Sequence, residues 1–173
     1  MSSLSEEQFL VLYDQYVGKI YRYIYFRVNA EEQAQDLTSE VFLKSWQWLS
    51  DSSPKFKTRD LANPRAFFYQ VARNLITDFY SQKDRLPLSL DEITDRPLAD
   101  KTVGPSEQAS LNLDMATVKK TLQKLNPDYQ EIIIWRYLDE LEVKEIAQII
   151  DKSEGAVRTI LSRALASLKE VLR

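Results

Sequence analysis

The sequence predicts an all-α fold of two small helical domains joined by a flexible acidic linker, the C-terminal one a helix-turn-helix. Apolar residues recur at helical spacing along both ends of the chain, only three glycines occur in 173 residues, and prolines break the pattern in the middle. The break is the stretch LPLSLDEITDRPLADKTVGPS, residues 86–106, which has no sustained apolar face. It carries Asp91, Glu92, Asp95 and Asp100 against Arg96 and Lys101, and it separates domains expected at 1–85 and 107–173.

The N-terminal domain offers a helix from about Ser5 to Val28 and a second from about Ala30 to Leu49, then a loop over residues 51–62 that includes PKFKTRDLA. A third helix opens at Asn63-Pro64, where the asparagine caps and the proline takes the first helical position, at which a missing N–H costs nothing. It is expected to reach about Lys83. Its apolar stripe is Phe68, Ala72, Leu75, Ile76 and Phe79, with Gln70, Arg73, Asn74 and Thr77 pointing away from that stripe. The second helix places Asp36, Glu40, Leu43 and Gln47 at i, i+4, i+7 and i+11, one stripe with an apolar residue among polar ones. Such a stripe suits a partner surface or a solvated face. In the C-terminal domain the pattern predicts helices over 107–125, 127–138, 143–150 and 153–171.

Composition narrows the chemistry. The chain has no cysteine and no histidine, which excludes disulfides, zinc-thiolate sites, a thiol nucleophile and the commonest general base. Neither a metal nor a cofactor is expected. The N-terminus MSSLSEEQFL lacks the basic-then-apolar order of a signal peptide, and no apolar run approaches the roughly 20 residues that span a bilayer, so a cytoplasmic protein without membrane insertion is expected. Net charge is −3, but it is unevenly spread. Residues 51–85 hold seven Lys/Arg against four Asp/Glu and residues 152–173 hold five against two, whereas residues 138–151 hold one against five.

The basic C-terminal stretch begins KSEGAVRTILSRA. On a helical wheel Val157, Leu161, Ala164 and Leu168 fall within about 60° of one another, and Ala156, Ile160 and Leu165 flank them. Arg158, Thr159, Ser162 and Arg163 face the other way. Ser153 is placed to cap the helix, and its free N-terminal amides, with Lys152 beside them, favour a phosphate. Upstream, Ile146, Ala147 and Ile150 give a short helix an apolar edge, and Asp151 to Glu154 make the turn. This is the layout of a helix-turn-helix, whose second helix presents polar side chains to major-groove base edges.

The segment NPDYQEIIIWRYLDELEVKEIAQIIDKSEGAVRTILSRALASL resembles the domain that reads the promoter −35 element in the extracytoplasmic-function (ECF) sigma factors of bacterial RNA polymerase, a group of the sigma-70 family. The N-terminal stretches FLVLYDQYVGKIYRYIYFRV, QDLTSEVFLKSWQWL and NPRAFFYQVARNLITDFYSQKDR are similar, in order and spacing, to the sigma domain that binds polymerase and melts the −10 element. The resemblance implies a promoter-specific initiation subunit, not an enzyme, with core RNA polymerase (its β′ clamp and β flap), promoter DNA and an anti-sigma factor as partners. It implies −35 contacts at Lys152, Ser153, Arg158, Thr159, Ser162 and Arg163, and polymerase contacts at Asp36, Glu40, Leu43 and Gln47. Contacts to the −10 element fall on Lys55, Phe56, Lys57, Arg59, Asn63, Arg73 and Asn74. Phe56 suits either stacking on a flipped base or anchoring its loop.

The chain departs from the family pattern in several places. Asp78 is followed by Phe79-Tyr80-Ser81-Gln82 where arginines are usual, and Gln70 and the pair Ile160 and Leu165 also stand at customarily basic positions. Glu142 replaces a Ser/Thr helix cap, and Asp151 replaces a turn glycine, which aspartate suits because it tolerates the left-handed conformation. With so few phosphate clamps, the free protein is expected to bind DNA poorly. A helix-turn-helix regulator that never joins polymerase is the rival reading, and it predicts tight binding by the free protein. An interaction module docking a protein helix on Ile160 and Leu165 is a second.

Overall fold

The computed structural model describes residues 4–50, 63–85 and 107–173, and every element in it is a helix. Lys55, Phe56, Lys57 and Arg59, and the stretch 86–106, lie outside the described residues. The first three helices are α1 (Glu6–Arg27), α2 (Glu31–Ser50) and α3 (Pro64–Arg85). Helix α1 starts at Ser5 because its hydroxyl accepts from the Gln8 backbone N–H at 3.2 Å while the Gln8 side chain accepts from the Ser5 N–H at 3.0 Å. Helix α3 starts as expected: Asn63 Oδ1 accepts from the Ala66 N–H at 3.1 Å, ahead of Pro64. These helices pack around Phe9, Phe42 and Phe68, with ring centroids of Phe42 and Phe68 4.9 Å apart. Each such aromatic pair adds about 0.5–1.5 kcal/mol beyond the area it buries.

The second half holds α4 (Glu107–Gln123), α5 (Pro127–Ile133), α6 (Val143–Ile150) and α7 (Glu154–Val171). The expected helix over 127–138 is broken in two. Asn126 caps α5 through the Tyr129 N–H at 3.0 Å, but Ile134–Leu138 form a π turn, closed by the Asp139 N–H on the Ile134 carbonyl at 2.9 Å. The chain then reverses through Glu140 at φ 57°. The wider i→i+5 turn lets the side chains of Trp135 and Asp139 both be fully buried, which a regular helix running on to solvent would not require.

The helix-turn-helix is α6 and α7. Ser153 Oγ accepts from the Ala156 N–H at 3.1 Å, and Asp151 ends α6 in the left-handed conformation, φ 56° and ψ 52°, as its replacement of glycine suggests. Glu142 begins α6 without a side-chain cap bond. Val157 and Ala164 are fully buried against the preceding helices, and Ala147 is small enough to allow the close approach.

The two halves pack against each other. Helix α1 and helix α3 pack against α5, the π turn and α6, and the buried apolar residues of both halves form one continuous cluster. Helix α3 is therefore buried on two sides, with Tyr69 and Val71 about as inaccessible as the expected core residues Phe68 and Ala72.

Candidate nucleic-acid interface

Helix α7 presents the predicted recognition face intact. Arg158, Thr159, Ser162 and Arg163 are all exposed on the side opposite Val157 and Ala164. Lys152 and Ser153 are exposed at its start. The contacts that tie this face down are local and weak: Arg158 reaches Glu154 at 3.6 Å, one turn back, and Thr159 donates to the Gly155 carbonyl at 3.1 Å. An exposed ion pair of that kind contributes under about 1 kcal/mol and yields readily to a phosphate.

Helix α2 also keeps its stripe free. Asp36, Glu40, Leu43 and Gln47 are exposed in line, Leu43 at 57%, and Glu40 pairs with Lys44 at 3.4 Å. A large apolar side chain held in water among acids is what a protein partner surface needs.

The face of α3 is placed differently. Asn74 and Thr77 are exposed, but Arg73 donates to both oxygens of Glu131, at 3.0 and 3.2 Å. Asn63 donates to the Gln148 side chain at 3.2 Å, and Gln70 to the Gln148 carbonyl at 3.0 Å. Two of the three described −10 candidates, Asn63 and Arg73, thus bond to the helix-turn-helix half of the chain while staying partly open to solvent.

Around them lies a polar interface that sequence reading does not single out. Glu131, its side chain 6% exposed, also takes hydrogen bonds from Arg27 at 3.1 Å and from the Tyr23 hydroxyl at 3.2 Å. Asp139, its side chain fully buried, accepts from Arg22 and from the Tyr69 hydroxyl at 2.6 Å. Glu145 pairs with Arg65, with one bond at 2.8 Å. Trp135 stacks on Tyr23 at 5.3 Å and meets Tyr69 edge-on at 6.0 Å. Burial, reinforced by Glu131, raises the Tyr23 hydroxyl pKa far above its usual range, and burial with Asp139 does the same for Tyr69. Both hydroxyls therefore stay protonated donors.

One signal points here: residues 51–85 are net basic and residues 138–151 net acidic, so the segments are complementary. Among the described residues no group of three or more His, Cys, Asp or Glu side chains is arranged to hold a metal, and no helix is long and apolar enough to cross a membrane.

Comparison with known proteins matches both halves. The family described as Sigma-70 region 2 matches residues 12–86, and Sigma-70, region 4, matches residues 115–168. The ECF RNA polymerase sigma factor BldN of Streptomyces coelicolor is 35% identical over 93% of this chain, which spans 59% of that protein's length. The ECF RNA polymerase sigma factor ShbA of Streptomyces griseus is 32% identical over 86% of this chain and 78% of its own. A solved structure of the sigma factor RpoE in complex with the anti-sigma factor NepR from Bartonella quintana shares the fold, with TM-score 0.71 and 21% identity over 96% of this chain and 95% of that one. On these matches, spread over both halves and resting on motifs in each, the chain belongs to the ECF RNA polymerase sigma factors.

Proposed function

We infer that this chain directs promoter-specific transcription initiation in the cytoplasm as a subunit of RNA polymerase, with no catalysis of its own. The observation that carries the reading is the capped helix α7, whose Arg158, Thr159, Ser162 and Arg163 are exposed together on one face. That face enters the major groove of the −35 element, with Lys152 and the amides at Ser153 on adjacent phosphates. Residues 1–85 act as the −10 and polymerase-binding domain, 86–106 as the linker and 107–173 as the −35 domain. Asp36, Glu40, Leu43 and Gln47 dock on the β′ clamp and the C-terminal domain on the β flap, while Asn63, Arg73 and Asn74, with Lys55, Phe56, Lys57 and Arg59, hold the opened −10 strand. An anti-sigma protein covering these faces fits the RpoE–NepR assembly, in which a sigma factor is bound by such a partner.

Run-off transcription with core polymerase on templates carrying each substitution in the −35 element tests the assignment. Arg158→Ala should cost about 1–3 kcal/mol in specific recognition and relax preference at one base position. Unchanged base preference in the variant refutes its role as a base reader. Tight, sequence-specific binding by the free protein favours instead a regulator that acts without polymerase.

A further inference from the structure

We propose that the cleft between α5 and α7 is a small-molecule site for a nucleoside monophosphate, with Lys152 and Arg163 on the phosphate and Asp128 on the donors at the other end. The cleft holds about 280 Å³ and is lined by α5, the π turn, the end of α6 and α7, with α3 adding Arg73. That volume lies near the lower end of small-molecule sites, roughly 300 Å³, and suits a ligand of mononucleotide size.

The charges in the cleft are of two kinds. Arg73 and Glu131 are spent on each other, and Glu131 is further bonded to Arg27 and the Tyr23 hydroxyl. Lys152 and Arg163 come from separate elements and are exposed, and among the described residues neither has an ion-pair or hydrogen-bond partner. Two free cations opening on one cleft attract a phosphate, and the arginine offers it a paired set of donors. Asp128, exposed and equally free, opens on the same cleft and repels a bare anion. A ligand that is anionic at one end and carries hydroxyl or amino donors at the other satisfies both signs, since a carboxylate accepts well from a ribose hydroxyl. Two further features favour a nucleoside over a plain sugar phosphate. Tyr129, Ile150 and Ile160, all half-buried, give the cleft an apolar wall suited to a flat ring. Trp135 also lines it, fully buried, and its Nε1 has no hydrogen-bond partner among the described residues. A buried donor left in that state is costly, and a base carbonyl or ring nitrogen would satisfy it. Because Lys152 and Arg163 are also inferred −35 contacts, an occupant would compete with promoter DNA; that consequence alone rests on the reading above.

Calorimetric titration of the free full-length protein with AMP, GMP, CMP and UMP in turn, and with inorganic phosphate, tests the site. At least one nucleotide should bind once per chain with Kd below about 1 mM and about tenfold tighter than inorganic phosphate. Arg163→Gln should weaken both ligands about tenfold. Asp128→Ala should act with opposite signs, weakening the nucleotide and strengthening inorganic phosphate. Both positions are exposed, and circular dichroism checks that each variant keeps the parent's fold. No saturable heat from any of the four nucleotides overturns the proposal. Inorganic phosphate binding as tightly as the nucleotides does so too, because the cations are then only part of a DNA-phosphate surface. Nucleotide binding at the parent's strength by either variant places the ligand elsewhere and likewise overturns it. DNA and polymerase are absent from the titration, so its failure and that of the −35 template series are distinguishable.

Discussion

Helices α3 and α7 each turn arginine and polar side chains away from the core of their own bundle, yet the arginines of one face are engaged by the rest of the chain and those of the other are free. On α7, Arg158 and Arg163 meet solvent and at most a neighbour one turn back. On α3, Arg65 and Arg73 are paired with Glu145 and Glu131 from elements more than fifty residues away in sequence. The residue types are the same, so the difference lies in what docks on each helix. A polar face opposite a core stripe is a surface available to a partner, and whether that partner is DNA or the rest of the chain depends on complementary charge and on a fitting apolar plug, here Trp135.

The sharpest test of that contrast is Asp139→Ala. It leaves the Arg22 guanidinium and the Tyr69 hydroxyl facing an apolar methyl inside the interface. Arg22 keeps solvent and the Leu138 carbonyl, so the loss is mainly that of the buried Tyr69 hydroxyl's acceptor, about 1–3 kcal/mol, whereas Arg158→Ala on the free face should stay within about 0.5 kcal/mol of the parent. Urea denaturation followed by tryptophan fluorescence measures both. Equal effects would mean that the α3 face contributes no more to stability than the exposed face of α7.

Much of this architecture is legible in the chain. The caps at Asn63 and Ser153, the left-handed turn at Asp151 and the outward set Arg158, Thr159, Ser162 and Arg163 are all local features, decided within a few residues, and they stand where the pattern puts them. Two features are not legible, for different reasons. A helical wheel assumes one period, so the π turn at Ile134–Leu138 is invisible to it, although it lets Trp135 and Asp139 point into the same interface. A wheel also sees only a helix's own stripe. It marks Arg73 as facing outward and cannot show Glu131 waiting there, because that pairing depends on how two domains meet. Tyr23 and Arg27 escape notice for the same reason, as ordinary members of a tyrosine-rich helix.

A second, smaller test concerns the apolar part of the covered interface. Lys119 of α4 is 2% exposed, with its ammonium 4.0 Å from the centre of the Tyr25 ring on α1 and, among the described residues, no hydrogen-bond acceptor. Burial, only partly offset by Glu31, lowers its pKa from 10.5 to about 8. Between those values the unfolded chain holds a proton that the folded one has released, so stability should rise with pH from about 8, by at most about 1.4 kcal/mol per unit. Lys119→Met keeps the stem's packing, removes the desolvated charge and should abolish that slope while raising stability at pH 7. Thermal melts between pH 7 and 9.5 decide it. A slope that persists in Lys119→Met assigns the effect to another group.

The smallest effects should come from the two turns that flank the contrasted faces. Glu140 follows the π turn beside the covered interface, and Asp151 precedes the free recognition helix; both are left-handed, at φ 57° and 56°. Glycine removes the Cβ clash of that conformation, worth about 1–2 kcal/mol for an ordinary side chain, but returns freedom to the unfolded chain worth about 0.4–1 kcal/mol. Glutamate gains nothing locally from the left-handed region, whereas a short aspartate is tolerated there, so Glu140→Gly should stabilise by about 1 kcal/mol and Asp151→Gly by about half that. Both side chains are exposed, so neither exchange disturbs the core. If Asp151→Gly proves the more stabilising, the turn into α7 is the more strained of the two, and the free face, not the covered one, is where this chain gives up stability for function.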